Sequence, residues 1–369
     1  MSTPQQTVLI IGGGQSGLAA ARAARDHHLR PIVLEAGERA VGSWPHYYNS
    51  LALFSPAQFS GFPGFTFPGD GDRYPTRDEV VTYLENYAES LDVEIRTNTR
   101  VRAVESDGDG FAVHTTGGDT LAAPALVAAS GSFANPHLPT LPGSETFAGT
   151  IAHVADYRDP SQYQGKRVIV VGGGNSAVQV AVELARTAAV TLASRQPLQF
   201  WEQRINGLDL HHALVETGFD LLPPYWLAQL VTATLVIDTG GYRQAFATGL
   251  LDRRPMFTRF TDDGIEWPDG SREQVDAVLF ATGYRPALEY LRPLGALDQT
   301  GAPLHAGGLS MTHMGLAYLG LEFQRSFSSN TLRGVHRDAE HVMAPLAAHI
   351  RGSWKATAAH QVRPSMSAV

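Results

Sequence analysis

A chain of 369 residues is long enough for two domains with sizeable cores. Its net charge of −8 and pI near 5.9 argue against nucleic acid or an anionic membrane surface as the partner. The absence of cysteine excludes dithiol relays, thiolate-held iron–sulfur clusters and cysteine-based zinc sites. The paired histidines, such as His211 and His212, lack metal-ligand spacing, so we interpret them as surface or packing residues and expect no metal.

The N-terminus and the apolar stretches indicate where the protein resides. Met1–Thr7 is polar and leads directly into an apolar strand, so no targeting signal is predicted. The longest apolar-leaning stretch, Tyr225–Ile237, contains polar residues and is too short to span a bilayer. We therefore expect a soluble, cytoplasmic protein.

The first predicted element is a βαβ unit with a glycine-rich turn. An apolar strand from Val8 leads into Gly12, Gly13 and Gly14, a helix follows, and a second strand ends at Glu35. Glycines let the backbone approach a pyrophosphate, to which the helix N-terminus presents N–H groups. A carboxylate after the second strand accepts hydrogen bonds from free ribose hydroxyls, which suits the adenosine of FAD.

A long loop rich in aromatic residues and proline follows, from Trp44 to Pro75. Loops of this length are more often functional than filler, and this one lies where a flavin ring would extend. A loop packed on its own aromatics is the alternative and explains many of these side chains. Helical periodicity begins at Arg77, where Thr76 and Glu79 have the spacing of a capping box.

Short strands separate this helix from the next apolar strand. Asp-Gly and Gly-Gly turns are predicted to join Val93–Glu105, Phe111–Thr115 and Thr120–Ala123. The apolar strand Leu126–Ala129 then leads into Ser130 and Gly131. The same arrangement recurs later, where Val275–Ala281 leads into Thr282 and Gly283.

Residues Val168–Arg195 repeat Val8–Glu35 without a gap, at an offset of 160 residues. The second copy keeps the three glycines but ends in Ser194 and Arg195, where the first copy ends in Glu35. Two such units predict two dinucleotides. An arginine at this place pairs with a 2′-phosphate, which suits NADPH, and the alternative is a solvated surface arginine.

The duplication predicts an α/β protein with two doubly wound Rossmann-like dinucleotide-binding domains, the NADPH domain inserted into the FAD domain. The FAD domain would comprise residues 1–150 and 283–369, and the NADPH domain residues 151–282. Residues 200–259 do not fit the duplicated plan and form an apolar-rich insert. Two roles suit this insert equally, a cap on the substrate side of the active site and the face of a homodimer.

The chain resembles the class B flavoprotein monooxygenases, in the flavin-containing monooxygenase branch and especially its short bacterial members. The resemblance covers essentially the whole length, and its specific element is FxGxxxHxxxY, formed by Phe147, Gly149, His153 and Tyr157. The Baeyer–Villiger subgroup ends this element in Trp followed by Pro or Asp, whereas Arg158 follows Tyr157 here. Further motifs are GGGQSG, Gly42-Ser43-Trp44, GGGNSA and Ala281-Thr282-Gly283-Tyr284.

The resemblance implies FAD and NADPH as cofactors and a small-molecule substrate and dioxygen as partners. NADPH would reduce the flavin, NADP⁺ would stay bound, and a flavin hydroperoxide would oxygenate a soft nucleophile, a sulfide or amine, or a ketone. This chemistry requires no dedicated general base. Two rivals remain, an NADPH-dependent flavin reductase that passes electrons to a separate acceptor, and a non-enzymatic NADP(H)-sensing flavoprotein.

The resemblance also implies the site residues. His153 and Tyr157 would govern how NADP⁺ shifts between its two roles, although a purely structural role suits His153 equally well. Phe54 takes the place over the flavin that Asn occupies in many family members. The residues expected to bind FAD or NADPH are Gly12, Gly14, Gln15, Ser16, Gly17, Glu35, Gly42, Ser43, Trp44, Val101, Ser130, Gly131, Gly172, Gly174, Asn175, Ser176, Ala177, Ser194, Arg195, Thr282, Gly283 and Gln324.

Overall fold

The computed structural model describes residues 6–230, 235–239 and 241–352. The ends of the predicted FAD domain, residues 1–5 and 353–369, lie outside the described residues, as does part of the apolar stretch Tyr225–Ile237. Of the helices in the described ranges, none has the length and apolar character that crossing a membrane requires.

The described helices and strands fall into three stretches of the chain. The first contains β1 (Thr7–Ile11), α1 (Gln15–Asp26), β2 (Arg30–Leu34), α2 (Arg77–Ser90), β3 (Glu94–Arg96), β4 (Val101–Asp107), β5 (Gly110–Thr115), β6 (Thr120–Ala123) and β7 (Ala125–Ala128). The second contains β8 (Thr150–His153), β9 (Arg167–Val171), α3 (Asn175–Leu184), β10 (Ala189–Ser194), β11 (Gln199–Glu202), β12 (Arg204–Ile205), β13 (Leu208–Asp209), α4 (Leu210–Glu216), α5 (Pro224–Leu230), β14 (Leu235–Asp238), α6 (Tyr242–Ala247), β15 (Asp252–Pro255), β16 (Arg259–Thr261), β17 (Gly264–Glu266), β18 (Arg272–Gln274) and β19 (Ala277–Phe280). The third contains β20 (His305–Ala306), β21 (Leu309–Ser310), β22 (Leu316–Tyr318) and α7 (Val335–Arg351).

Two parallel sheets share one plan. The first has the parallel order β22-β7-β1-β2-β3, with β21 and β20 added antiparallel at one edge. The second has the parallel order β8-β19-β9-β10-β15. Each sheet is accompanied by a three-stranded antiparallel sheet, β4-β5-β6 or β16-β17-β18. The α/β prediction with its duplicated plan is confirmed, while the domain boundaries stay a prediction.

The elements form where the local sequence predicts them. β1 and β9 are apolar and almost wholly buried, as strands covered on both faces must be. α1 and α7 contribute to one core, in which small alanines of α1 allow close packing. α2 begins with the predicted capping box, because Thr76 accepts from the Glu79 N–H while the Glu79 side chain accepts from the Thr76 N–H.

Two predictions about strands are wrong. Val93–Glu105 is not one strand, because the chain turns at Asn98, which has a φ of +51°, and divides into β3 and β4. β3 joins the parallel sheet, whereas β4 joins an antiparallel one. The insert of residues 200–259 is not wholly outside the duplicated plan either, since its strand β15 lies beside β10 as β3 lies beside β2.

Candidate functional site

The first glycine turn closes against the neighbouring strand β7. Gly12 has a φ of +105°, which favours glycine, and a Cβ there would lie 2.5 Å from the Ala129 carbonyl oxygen. Gly14 precedes α1 without a side-chain cap, and no acidic residue lies in the first turn. Gly42 packs on Gly14, since a Cβ on Gly42 would lie 2.8 Å from the Gly14 Cα. The helix N-terminus therefore retains N–H groups for an anionic ligand.

Glu35 is buried after β2, and its carboxylate reaches back to the glycine turn. The Gly13 N–H donates to Oε2 at 2.6 Å, and the Gly37 N–H donates to Oε1 at 2.6 Å. A carboxylate has about four lone-pair positions, so each oxygen can accept from a further donor. Val101 begins β4 two residues after Thr99, whose N–H donates to the Glu35 carbonyl. The Glu35 carboxylate therefore provides the acceptors that a ribose with free hydroxyls requires.

The first turn of α1 connects the glycine turn to two distant segments. The Gln15 amide oxygen accepts from Trp44 Nε1 at 3.0 Å, and its nitrogen donates to the Asn330 carbonyl at 2.7 Å. The structure thus brings together, at one turn, the predicted FAD-binding residues Gly12, Gly14, Gln15, Ser16, Gly17, Glu35, Gly42, Ser43 and Trp44.

The second glycine turn repeats this geometry against β19. Gly172 has a φ of +154°, and a Cβ there would lie 2.5 Å from the Ala281 carbonyl oxygen. Gly174 precedes α3, again without a side-chain cap among the described residues. The Asn175 side chain is already engaged, because its oxygen accepts from the Ile237 N–H at 2.8 Å. This turn gathers the predicted NADPH-binding residues Gly172, Gly174, Asn175, Ser176 and Ala177.

Two arginines belong to the region where β10 ends. Arg195 directly follows β10 and is exposed. The buried Ser194 hydroxyl donates to the Gln196 carbonyl at 2.7 Å and accepts from Arg253 Nε at 2.9 Å. Arg253 also donates to the Ser194 carbonyl at 3.0 Å. The hydroxyl hydrogen of Ser194 is therefore already used. Arg253 adds a guanidinium that sequence reasoning missed, because it stands 59 residues away and only the β10–β15 pairing brings it here.

The segments that follow β7 and β19 are hydrogen-bonded to each other. The Thr282 hydroxyl donates to the His137 carbonyl, and the Gly283 carbonyl accepts from the His137 N–H at 3.0 Å. The Ser130 hydroxyl donates to the Ala287 carbonyl at 2.8 Å. The side chains of Ser130 and Thr282 thus hold together two segments, residues 130–137 and 282–287, which form a crossover between the two sheets. Cofactor contacts stay a prediction for its members Ser130, Gly131, Thr282 and Gly283.

Gln324 contacts a different part of the chain. It is buried, its amide oxygen accepts from the Leu321 N–H at 3.3 Å, and its amide nitrogen packs directly on Gly308. Its contact with a cofactor stays a prediction.

Both linker side chains are buried. His153 ends β8, and its Nδ1 accepts from the Ala155 N–H at 3.1 Å, so the ring hydrogen is on Nε2. Its ring meets Tyr284 of the crossover edge-on, with centroids 5.0 Å apart. Burial lowers the pKa of His153, which favours the neutral ring. The Tyr157 hydroxyl donates to Glu183 of α3 at 2.8 Å within the second core, so packing explains its position. Catalytic roles for both stay predictions.

Phe54 lies where the aromatic loop meets the insert. The residue is 38% exposed, and its ring stacks beside His211, with centroids 6.1 Å apart. Its carbonyl accepts from Gln203 Nε2 at 3.0 Å. The position of Phe54 over a flavin stays a prediction, but its contact with the insert agrees with the insert as a cap.

A buried hydrogen-bond network joins the aromatic loop to the insert. The Tyr74 hydroxyl and Gln203 Nε2 both donate to Asp209 Oδ2 at 2.5 Å, and His211 Nδ1 lies 2.7 Å from Oδ1. Burial opposes ionisation of Asp209, but the bonds from His211 and Tyr74 outweigh it and lower its pKa to about 2. Sequence reasoning missed this network because Tyr74 and Asp209 are 135 residues apart and no local spacing marks them.

The arrangement of donors and acceptors fits both expected cofactors. At the first turn, the α1 N-terminus would hold a diphosphate and Glu35 a ribose with free hydroxyls. At the second turn, the α3 N-terminus would hold another diphosphate, with Arg195 and Arg253 beside the place of a 2′-phosphate. The crossover connects the two strands against which the turns close.

Comparisons with known proteins agree with this geometry. The family model described as pyridine nucleotide-disulphide oxidoreductase matches residues 9–207. Among solved structures, the chain is similar to a flavin-containing monooxygenase from Stenotrophomonas maltophilia, with a TM-score of 0.82 and 31% identity, over 93% of this chain and 98% of that one. It is also 31% identical to the uncharacterized oxidoreductase CzcO-like of Geobacillus kaustophilus, over 93% of this chain and 98% of the relative. Identity with the indole-3-pyruvate monooxygenase YUCCA1 of Oryza sativa subsp. japonica is 31%, over 75% of this chain and 76% of the relative.

The Glu35 carboxylate generates a first prediction. In Glu35→Gln, one carboxylate oxygen becomes an NH₂ group that faces a backbone N–H, and the charge-assisted bonds to the ribose are lost. We expect the Kd for FAD to rise about 10- to 100-fold. Fluorescence titration of the apoprotein with FAD measures it, with exposed Glu38→Gln as the matched control. Equal Kd values in the two variants would contradict the assignment of Glu35 to the ribose.

Proposed function

The chain belongs to the pyridine nucleotide-disulphide oxidoreductase family and, within it, to the class B flavoprotein monooxygenases, and from this premise we propose that it oxygenates a small soft nucleophile, a sulfide or an amine. The protein is an enzyme that uses FAD and NADPH. Dioxygen and a small molecule are its substrates. The family is named for disulphide oxidoreductases, which exchange electrons through a dithiol. This chain has no cysteine, so it cannot perform that exchange.

The connection between the two glycine turns is the observation that carries this proposal. Both turns close against strands whose continuations are hydrogen-bonded to each other, through His137 and the segment 282–287. This connection supports the proposal that a nicotinamide held from one turn meets a flavin held from the other. His153 lies at this junction, which supports a role in holding the nicotinamide after hydride transfer.

The residues of this chain would bind the two cofactors, orient the substrate and exclude water. When bound, FAD would supply the chemistry that activates dioxygen. Phe54 and Phe59 of the aromatic loop, with the insert packed on them, would shield the reacting atoms from water. A sulfide needs no proton removed before it reacts, so positioning and water exclusion suffice for it.

The experiment that tests the proposed function follows products and NADPH together. A panel of small thioethers and amines is incubated with the FAD-loaded protein, NADPH and dioxygen. We expect faster NADPH oxidation with substrate and formation of a sulfoxide or an N-oxygenated amine. NADPH oxidation without any oxygenated product would instead support the rival function, a reductase that serves a separate acceptor.

Arg195 generates a prediction about cofactor preference. Its guanidinium would donate charge-assisted bonds to the 2′-phosphate that NADH lacks. Arg195→Ala should raise the KM for NADPH about 10- to 100-fold and leave the KM for NADH nearly unchanged. Steady-state kinetics with both nucleotides measures this, and exposed Arg186→Ala, at the other end of α3, is the control. Equal losses for NADPH and NADH would mean that Arg195 acts elsewhere.

His153 generates a prediction about coupling. His153→Ala removes the ring that packs on Tyr284 at the crossover, so NADP⁺ should be held less firmly while FAD stays bound. We expect a larger share of the consumed NADPH to appear as hydrogen peroxide instead of product. Peroxide and product assays measure the share, with His114→Ala on the antiparallel sheet as control. An unchanged share would leave His153 a packing residue.

A further inference from the structure

A cleft of about 170 Å³ opens where the aromatic loop, the insert and the start of α7 meet. Phe59 lines it from the loop, Val215 and Asp220 line it from the insert, and Arg333 and Arg337 line it from the α7 side. Of the described residues that line it, none is among those expected to bind FAD or NADPH. We call it the three-segment cleft.

Two of the three charged residues in this lining neutralise each other. The Asp220 carboxylate is buried, and its oxygens accept from Arg333 Nε at 2.7 Å and from Arg333 Nη2 at 2.9 Å. A bidentate pair of this kind commits both carboxylate oxygens to one guanidinium. Asp220 Oδ2 lies 4.0 Å from Arg337 Nη2, which is too far for a hydrogen bond. Among the described residues, no carboxylate is therefore hydrogen-bonded to Arg337.

The Arg337 guanidinium is held by one hydrogen bond within the described residues. Its Nη2 donates to the hydroxyl of the fully buried Ser328 at 2.9 Å, and that hydroxyl donates to the Asp220 carbonyl at 3.2 Å. A guanidinium has five N–H groups in one plane, with two edges at which two N–H groups lie side by side. Whichever Nη2 hydrogen Ser328 receives, one complete edge remains for a bidentate partner. The Arg337 side chain is 38% exposed, so a small molecule in the cleft can reach it.

The charges around Arg337 leave one positive charge uncompensated. Arg325 Nη1 lies 3.3 Å from Asp338 Oδ1 and forms a second pair beside the first. The three guanidiniums and two carboxylates of this cluster therefore sum to +1. Burial, helped by Arg337, lowers the pKa of His336 to about 4, so this neighbour is neutral and adds no charge. An excess positive charge with a free pair of donors favours an anion.

The apolar part of the lining indicates what kind of anion fits. Phe59 is half-buried, with its ring edge-on to that of His212 at a centroid distance of 4.8 Å, and Val215 of α4 is 50% exposed. An inorganic anion would leave both apolar side chains uncovered. A cavity of about 150 Å³ is enough to hold benzene, so this cleft suits an apolar body the size of one ring. A small carboxylic acid combines such a body with the charge that Arg337 lacks.

We propose that the three-segment cleft binds the carboxylate of a small organic acid. Arg337 bonds the carboxylate through its open edge, Ser328 holds the guanidinium in position, and Phe59 and Val215 contact the apolar body. The inference goes beyond the proposed function, which assigns no acidic group to the substrate. The carboxylate belongs either to the substrate itself or to a separate acid. Because the loop, the insert and α7 all form the cleft, its occupant would also hold these three parts together.

Calorimetric titration of the FAD-loaded protein with benzoate tests the site without any turnover. We expect one benzoate to bind per chain, and benzamide, its uncharged isostere, to bind about 10- to 100-fold more weakly. Arg337→Gln should weaken benzoate binding by the same factor. Arg102→Gln removes an exposed arginine of β4 outside the cleft lining, so this matched control should bind benzoate as the unaltered protein does.

A second pair of variants tests the site without removing an arginine, in case Arg337→Gln does not fold. Val215 is half exposed on α4, and Glu and Gln have similar helix propensities, so both should be tolerated there. Val215→Glu adds a carboxylate that competes with the ligand for Arg337, whereas Val215→Gln adds a similar volume without the charge. We expect benzoate to bind about tenfold or more weakly to Val215→Glu than to Val215→Gln.

Three results would overturn the inference. The first is that benzoate does not bind to the unaltered protein. The second is that benzoate binds to Arg337→Gln as tightly as to the unaltered protein. The third is that the two Val215 variants have equal affinities for benzoate. These titrations need no oxygenation, so they decide the inference even if the thioether and amine panel yields no product and the proposed function fails.

Turnover of two matched thioethers distinguishes the two sources of the carboxylate. If the substrate carries it, para-methylthiobenzoate should have a higher kcat/KM than para-methylthiobenzamide, and Arg337→Gln should remove the difference. If a separate acid supplies it, the two thioethers should be oxygenated alike, and benzoate should bind without competing with either. Both results agree with a carboxylate site in the three-segment cleft, and they differ in whether it belongs to the substrate site.

Discussion

The closure of each glycine turn against a neighbouring strand is the constraint on which both nucleotide sites depend. Gly12 has no room for a Cβ beside the Ala129 carbonyl, and Gly172 has none beside the Ala281 carbonyl. Each contact places the end of one strand, β7 or β19, directly beside the turn of another. The chain that leaves these two strands forms the crossover at His137, which connects the two turns through hydrogen bonds. Two sites that could have been independent are therefore held in one arrangement.

The aromatic loop and the insert add a second level of organisation. The loop belongs to the first βαβ unit in sequence, yet the Tyr48 hydroxyl donates to Gln179 of α3, and Tyr74 bonds to Asp209 of the insert. A buried ion pair between Asp220 and Arg333 joins the insert to a third segment, the one that precedes α7. The insert thus lies over the loop, which supports the cap that the sequence offered as one of two roles. Its homodimer role stays a prediction.

Features with a local sequence signal could be predicted, and features made by distant segments could not. The glycine turns, the capping box at Thr76 and the repeated strand order follow from short patterns whose physical causes act within a few residues. Arg253 reaches Ser194 only because β15 pairs with β10, and no local sequence pattern predicts that pairing. His211 looked like one of two adjacent surface or packing histidines, since the burial and the carboxylate that distinguish it depend on the insert closing on the aromatic loop. The turn at Asn98 was missed because strand-like residues flank it on both sides and no glycine or proline marks it.

The central claim is that the two sites act together to place one atom of dioxygen in a soft nucleophile. The most direct measurement is thioether oxidation under isotopically labelled dioxygen, with NADPH consumption and hydrogen peroxide followed in the same sample. The proposed function predicts labelled sulfoxide in proportion to the NADPH consumed, with little peroxide, because the loop and the insert would keep water from the reacting atoms. Sulfoxide without label, or NADPH consumption recovered wholly as peroxide, would contradict the account.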